Sequence, residues 1–174
     1  MMTHDAIYLA GQITLTIGAA LLIVAALHDV AARTIPNWTC LGLAVLGLVL
    51  RGADGQLLAG LALGVVVFLV ATFCWTRGWM GGGDVKLLAA AAIFVPPADV
   101  GNMLVAITLA GGVVGLFYLG WRFVLRRLAA QPRPRPSSLL ARILRAERWR
   151  ILRGCPLPYA SAIAAGTLFV IVAG

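Results

Sequence analysis

Apolar runs return along almost the whole chain, spaced by short polar turns, and this recurrence limits the possible folds more than any single motif. Hydrophobic residues fill 61% of the 174 positions and charged residues 11%, with a mean hydropathy of +0.98. A soluble domain carries about a quarter charged residues. An ordinary water-soluble domain is therefore excluded, and lipid must complete the core. The expected fold is all-α: a polytopic integral membrane helical bundle with about six transmembrane helices, forming one membrane domain over residues 1–174.

Six helices are predicted, at Ala6–Leu27, Trp38–Leu50, Leu57–Trp75, Val85–Val95, Val100–Trp121 and Pro156–Ala173. Crossing the hydrocarbon takes roughly 17 to 25 helical residues. The second and fourth runs fall short, and the fourth has a re-entrant segment as its alternative. Charge decides between the topologies. The net charge of +8 is concentrated in one place: ten arginines and Glu147 lie between Arg122 and Arg153. With six crossings, Arg33, Arg77, Lys86 and those ten arginines share one side, and Arg51 alone falls opposite. This is the positive-inside pattern, so the loop 122–155 is expected in the cytoplasm and both termini outside it. The first residues lack a basic n-region, so the first run is expected to stay as a span rather than leave as a signal peptide.

Within that loop, Gln131–Pro136 reads as a stiff extended spacer. Ser137–Arg153 reads as an interfacial helix, with Leu140, Ile143 and Leu144 on one face and Arg142, Arg145 and Arg148 on another. Anionic lipid headgroups are the expected partner of such a surface. Nucleic acid is not, because no aromatic stacking pattern accompanies the charge. Cys40, Cys74 and Cys155 form no Cys-x-x-Cys pair and read as small apolar fillers; no metal or organic cofactor is expected. Trp38, Trp75, Trp79 and Trp121 fit an aromatic belt at the cytoplasmic ends.

Ionisable groups near membrane spans are functional candidates by default. Asp5, Asp54 and Asp99 fall in outer turns, where water solvates them. Asp29 and Asp84 stand at the cytoplasmic ends of two helices, 55 residues apart. Two carboxylates that meet in a low-dielectric site share a proton, and one can then activate water while the other protonates a carbonyl. Beside Asp84, Gly81, Gly82 and Gly83 offer backbone freedom and close approach for a substrate chain. No Gly-Lys-Ser/Thr ending supports a phosphate loop. Lys86 either orients substrate or snorkels. Ile35, Pro36 and Asn37 shape the turn into the second helix, with Asn37 as its cap.

Three stretches carry a family resemblance: Asp29 followed by Ile35-Pro36-Asn37, the Gly-x-Gly-Asp-x-Lys block Gly81–Lys86, and Pro158-Tyr159-Ala160 leading into the last helix. On these the sequence resembles the type IV prepilin peptidases, intramembrane aspartic proteases. The resemblance implies that Asp29 and Asp84 are a catalytic pair. It also implies cleavage of the leader from pilin or pseudopilin precursors, at the cytoplasmic face of the bacterial inner membrane. The chain looks like the short members that serve tight-adherence (Flp-type) pili. It lacks the cysteine-bearing insertion of the larger ones, so N-methylation is not expected. Two other readings compete. A small transporter or scaffold would use Asp29 and Asp84 as proton-relay groups but leaves the glycine block unexplained. A CDP-alcohol phosphotransferase is faintly echoed by Asp29-Val-Ala-Ala-Arg33, without the later acidic motif.

Overall fold

The computed structural model describes residues 2–127 and 157–173. The arginine-rich loop, with its expected spacer and interfacial helix, lies largely outside the described residues. The described residues form six α-helices: α1 (Met2–Ala32), α2 (Asn37–Ala53), α3 (Leu57–Thr76), α4 (Gly82–Phe94), α5 (Val100–Arg127) and α6 (Tyr159–Ala173). A 3₁₀ turn at Pro97–Asp99 precedes α5, and the described residues contain no strand. The expected all-α membrane bundle is what forms.

Helix is the form these runs must take, because a helix satisfies every backbone N–H and C=O within its own segment where no water is present. Tyr8–Ala32, Leu57–Thr76 and Pro97–Val124 are each long and apolar enough to cross a membrane, and Asn37–Ala53 and Tyr159–Ala173 are shorter apolar helices. The surface has the polarity of a protein solvated by lipid. Large apolar side chains face outward on every long helix, Leu58 and Val172 being more than four-fifths exposed. The interior relies heavily on small residues, among them Ala89–Ala92, Ala160, Ala162 and Ala164. Small residues let helix backbones approach closely, which is how packing replaces hydrophobic drive inside a membrane.

Helices α1 and α5 outrun their apolar stretches, because a hydrogen-bond ladder does not stop where hydropathy falls. α1 ends only at Arg33, which takes a left-handed conformation (φ 57°) and donates its N–H to the Asp29 carbonyl at 2.8 Å, a C-terminal cap usually left to glycine. Pro36 then opens α2. Asn37 is the first helical residue rather than the cap: Pro36 holds the cap position, and Thr39 Oγ1 donates to its carbonyl at 2.7 Å. A proline side chain has no acceptor to offer the helix N–H groups, and the Asn37 amide, one position past the cap, instead reaches another helix.

The central element is the shortest. With 13 residues, α4 rises about 20 Å, yet most of its side chains from Val85 to Phe94 are buried, because α2, α3 and α6 pack around it. Its far end is wedged against the middles of longer helices. The Phe94 ring occupies the space beside Gly18 of α1, and a Cβ on Gly47 of α2 would sit 2.7 Å from the Phe94 backbone. From there buried Val95 continues as extended chain into Pro96 and Pro97. Elsewhere α1 packs on α2 and α6, and α6 on α5, where a Cβ on Gly166 would sit 2.5 Å from the Ile107 nitrogen.

Candidate active site

Successive helices reverse direction, so the carboxyl ends of α1, α3 and α5 meet the amino ends of α2, α4 and α6 at one end of the bundle. Contacts fix this directly. Asp29 of α1 reaches Ala160 of α6, Lys86 of α4 reaches Asn37 of α2, Arg33 lies over Tyr118 of α5, and Gly82 packs beside Trp75 of α3. A cavity of about 320 Å³ opens there. Asp29 and Asp84 line it, together with Arg33, the turn after it, Gly81–Gly83 and Lys86.

Each carboxylate is held by a backbone N–H. Asp29 is 7% exposed, and its Oδ2 accepts the Ala160 N–H at 3.2 Å in the first turn of α6. Asp84 sits in the first turn of α4, ahead of the apolar run 85–95. Its Oδ2 accepts the Gly81 N–H at 3.3 Å, the way an acid at the third helical position reaches back to the cap. Both carboxylates therefore sit at helix amino ends, where exposed N–H groups favour negative charge. Burial, and then the neighbouring Asp29 carboxylate, nevertheless push Asp84 up to about 6; the Gly81 hydrogen bond pulls the other way. Desolvation and like charge outweigh one hydrogen bond. The cavity thus holds one carboxyl group that keeps its proton well above the ordinary aspartate range, up to about pH 6, beside a second carboxylate.

The glycine block serves close packing rather than unusual backbone geometry. Gly81 has φ −75° and ψ 147°, open to any residue, and Gly82 and Gly83 are helical. In this stretch the positive φ falls at Gly78 instead (φ 74°). What the block needs is the missing Cβ. On Gly83 it would press on Ile35 at 3.2 Å, and on Gly81 it would meet Asp84 Oδ2 at 2.9 Å. Ile35 is thereby seated on α4 and draws the turn after α1 over the cavity.

Lys86 Nζ donates to Asn37 Oδ1 at 3.1 Å, so the lysine neither floats free nor points to a carboxylate. His28 Nδ1 lies 2.7 Å from the Thr34 carbonyl and so braces the same turn. Arg51 is buried and pairs with Asp54 at 2.9 Å at the other end of the bundle. Among the described residues no three His, Cys, Asp or Glu side chains converge as a metal-binding group. Two participants escape sequence reasoning: the Ala160 N–H, because a backbone donor has no signature, and Tyr118, 85 residues from Arg33. The Pro-Tyr-Ala stretch was the only hint of the first.

A sequence model of the type IV leader peptidase family matches residues 16–120. The chain belongs to the type IV leader peptidase family. No curated protein and no solved structure gives a significant match. The matched region contains both Asp29 and Asp84 and ends before α6, so the leader peptidase family model covers both carboxylates but not the Ala160 contact. Membership, with the long apolar helices, makes this a leader-peptidase-like protease integral to the membrane, and it favours that reading over the transporter and phosphotransferase alternatives.

Proposed function

We propose that the protein is a prepilin leader peptidase, an aspartic endopeptidase in which Asp29 and Asp84 form the catalytic pair. The observation that carries this reading is a cavity lined by both carboxylates, one of them raised by burial and by the other. The two carboxyl groups share one proton, and the ionised member of the pair takes a proton from water as that water attacks the scissile carbonyl. The protonated carboxyl donates to the carbonyl oxygen as the tetrahedral intermediate forms. Collapse of that intermediate passes a proton to the leaving amine, and the leader is released. Backbone donors at Gly81 and Ala160 hold the two carboxylates in place through the cycle.

The substrates are pilin or pseudopilin precursors, whose basic leader meets an apolar helix at the bond to be cut. The basic bias of the end that carries the site supports a position at the cytoplasmic face of the bacterial inner membrane, which is where a leader waiting to be removed lies. The membrane domain is the whole chain, and anionic lipid headgroups are the partner that the charge of the arginine-rich segment supports. In a reconstituted assay with the host's pilin precursor, Asp29→Asn and Asp84→Asn each lower leader removal by about 10²- to 10⁴-fold, the range expected for loss of a general acid or base. Cleavage at the wild-type rate by either folded variant would refute the pair.

A further inference from the structure

A second cavity begins where the carboxylate cavity ends. Asn37 and Lys86 line both. From that threshold a groove of about 560 Å³ runs along the seam of α2 and α4. On α4 it takes Lys86, Ala89, Ala90 and Ile93, the i, i+3, i+4, i+7 row of one helix face; α2 contributes the matching row from Asn37 to Ala44. Seven residues of helix make the groove about 10 Å long. Its floor is small and buried, with Cys40, Ala89 and Ala90 each below 10% exposed, while the walls Trp38, Leu41 and Phe68 are large, apolar and exposed. The lining is almost wholly apolar beyond the threshold, where the Lys86–Asn37 hydrogen bond stands.

We infer that the α2–α4 groove seats the apolar helix of the precursor, so that the chain passes over the Asn37–Lys86 threshold with its leader in the carboxylate cavity. The inference rests on the protease reading. Two observations select this occupant. The first is continuity: a substrate that changes from polar leader to apolar helix at the cut bond needs a polar cavity that passes directly into an apolar groove, and the change of lining at Asn37 and Lys86 provides it. The second is exclusion. The other large apolar groove, between α5 and α6, begins at Asp99 and Asn102 and shares no lining residue with the carboxylate cavity. A small-residue floor also suits a helix, since it lets two backbones pack closely without interhelical hydrophobic drive.

The test uses the full-length protein, the host's pilin precursor and lipid nanodiscs. A photo-crosslinking p-benzoylphenylalanine is placed at Leu41, in the groove wall, or at Leu109, in the α5–α6 groove. Capture of the precursor or its cleaved helix from Leu41 and not from Leu109 is the expected result. Capture from Leu109 alone would overturn the assignment, as would capture at Leu41 of lipid only or of a second copy of this chain. Filling the groove with Ala44→Phe raises KM for the precursor about tenfold with kcat nearly unchanged, the signature of lost uniform binding. A soluble junction peptide without the apolar helix is cut as before. An unchanged KM in an Ala44→Phe protein with the wild-type unfolding midpoint would refute the groove. If the wild type cuts no precursor, the protease reading fails; if it cuts but Leu41 captures nothing, only the groove does.

Discussion

At the scale of single residues, Asp84 is the group whose behaviour the surroundings change most. An ordinary aspartate loses its proton near pH 4, whereas burial and Asp29 hold Asp84 to about 6. Between those values the folded protein binds more protons than the unfolded chain, so stability falls as pH rises through this window. Two outcomes follow. Leader removal declines as pH climbs above about 6, because the acid of the pair is lost. In detergent micelles the unfolding midpoint of the wild type drops between about pH 4 and 6 relative to Asp84→Asn, which has no proton to release; parallel midpoints in the two proteins would show that Asp84 titrates normally. Both aspartates are readable in the sequence as acids at helix ends. Their fixing is not, since the donors are main-chain groups of Gly81 and of Ala160, 131 residues beyond Asp29.

At the scale of elements, α4 explains why so short a run belongs in the bundle. Hydropathy marks Val85–Val95 as too short to cross comfortably, and no pattern along it says which face is buried. The structure answers that most of it is buried, because three neighbours surround it and glycines admit it. Gly47→Leu, which meets the Phe94 backbone rather than a flexible side chain, and Gly166→Leu, which meets Ile107, each destabilise the bundle by about 1 to 3 kcal/mol, as overpacking does. Thermal unfolding in micelles measures this. Gly52→Leu is the control, for a Cβ there meets nothing within 4 Å. The glycine block beside Asp84 shows the limit of motif reading: its composition points to backbone freedom, but the backbone is ordinary and Ile35 and the Asp84 carboxylate use the space.

At the scale of the whole molecule, alternating helix direction gathers the ends of the six described helices at the end of the bundle that holds the cavity, and sends Asp54 and Asp99 to the far end. Under the proposed function the cavity end faces the cytoplasm, a reading that the basic connecting segments support. Cysteines introduced at Gly55 and Gly78, both in turns with positive φ and no near neighbour, test this by labelling in intact cells and in inverted vesicles, after replacement of Cys40, Cys74 and Cys155. An impermeant thiol reagent modifies Gly55→Cys from outside the cell and Gly78→Cys from the cytoplasmic side; the reverse pattern would turn the protein over.

Solvent and local chemistry are written in the sequence, and so it determines the membrane, the helical class, the turns at Pro36 and Pro96, and the acids that lipid makes costly. Contacts between helices distant in the chain are not written there. Only the tertiary structure decides that Asp29 and Asp84 share a cavity, that Ala160 holds one of them, that Asn37 turns from capping its own helix to Lys86, and that a groove leaves the site along α2 and α4. The physical reason is that a helix in lipid is apolar nearly all round, so periodicity scarcely distinguishes the face meeting a neighbour from the face meeting solvent; small residues and the absence of a Cβ make that choice in three dimensions.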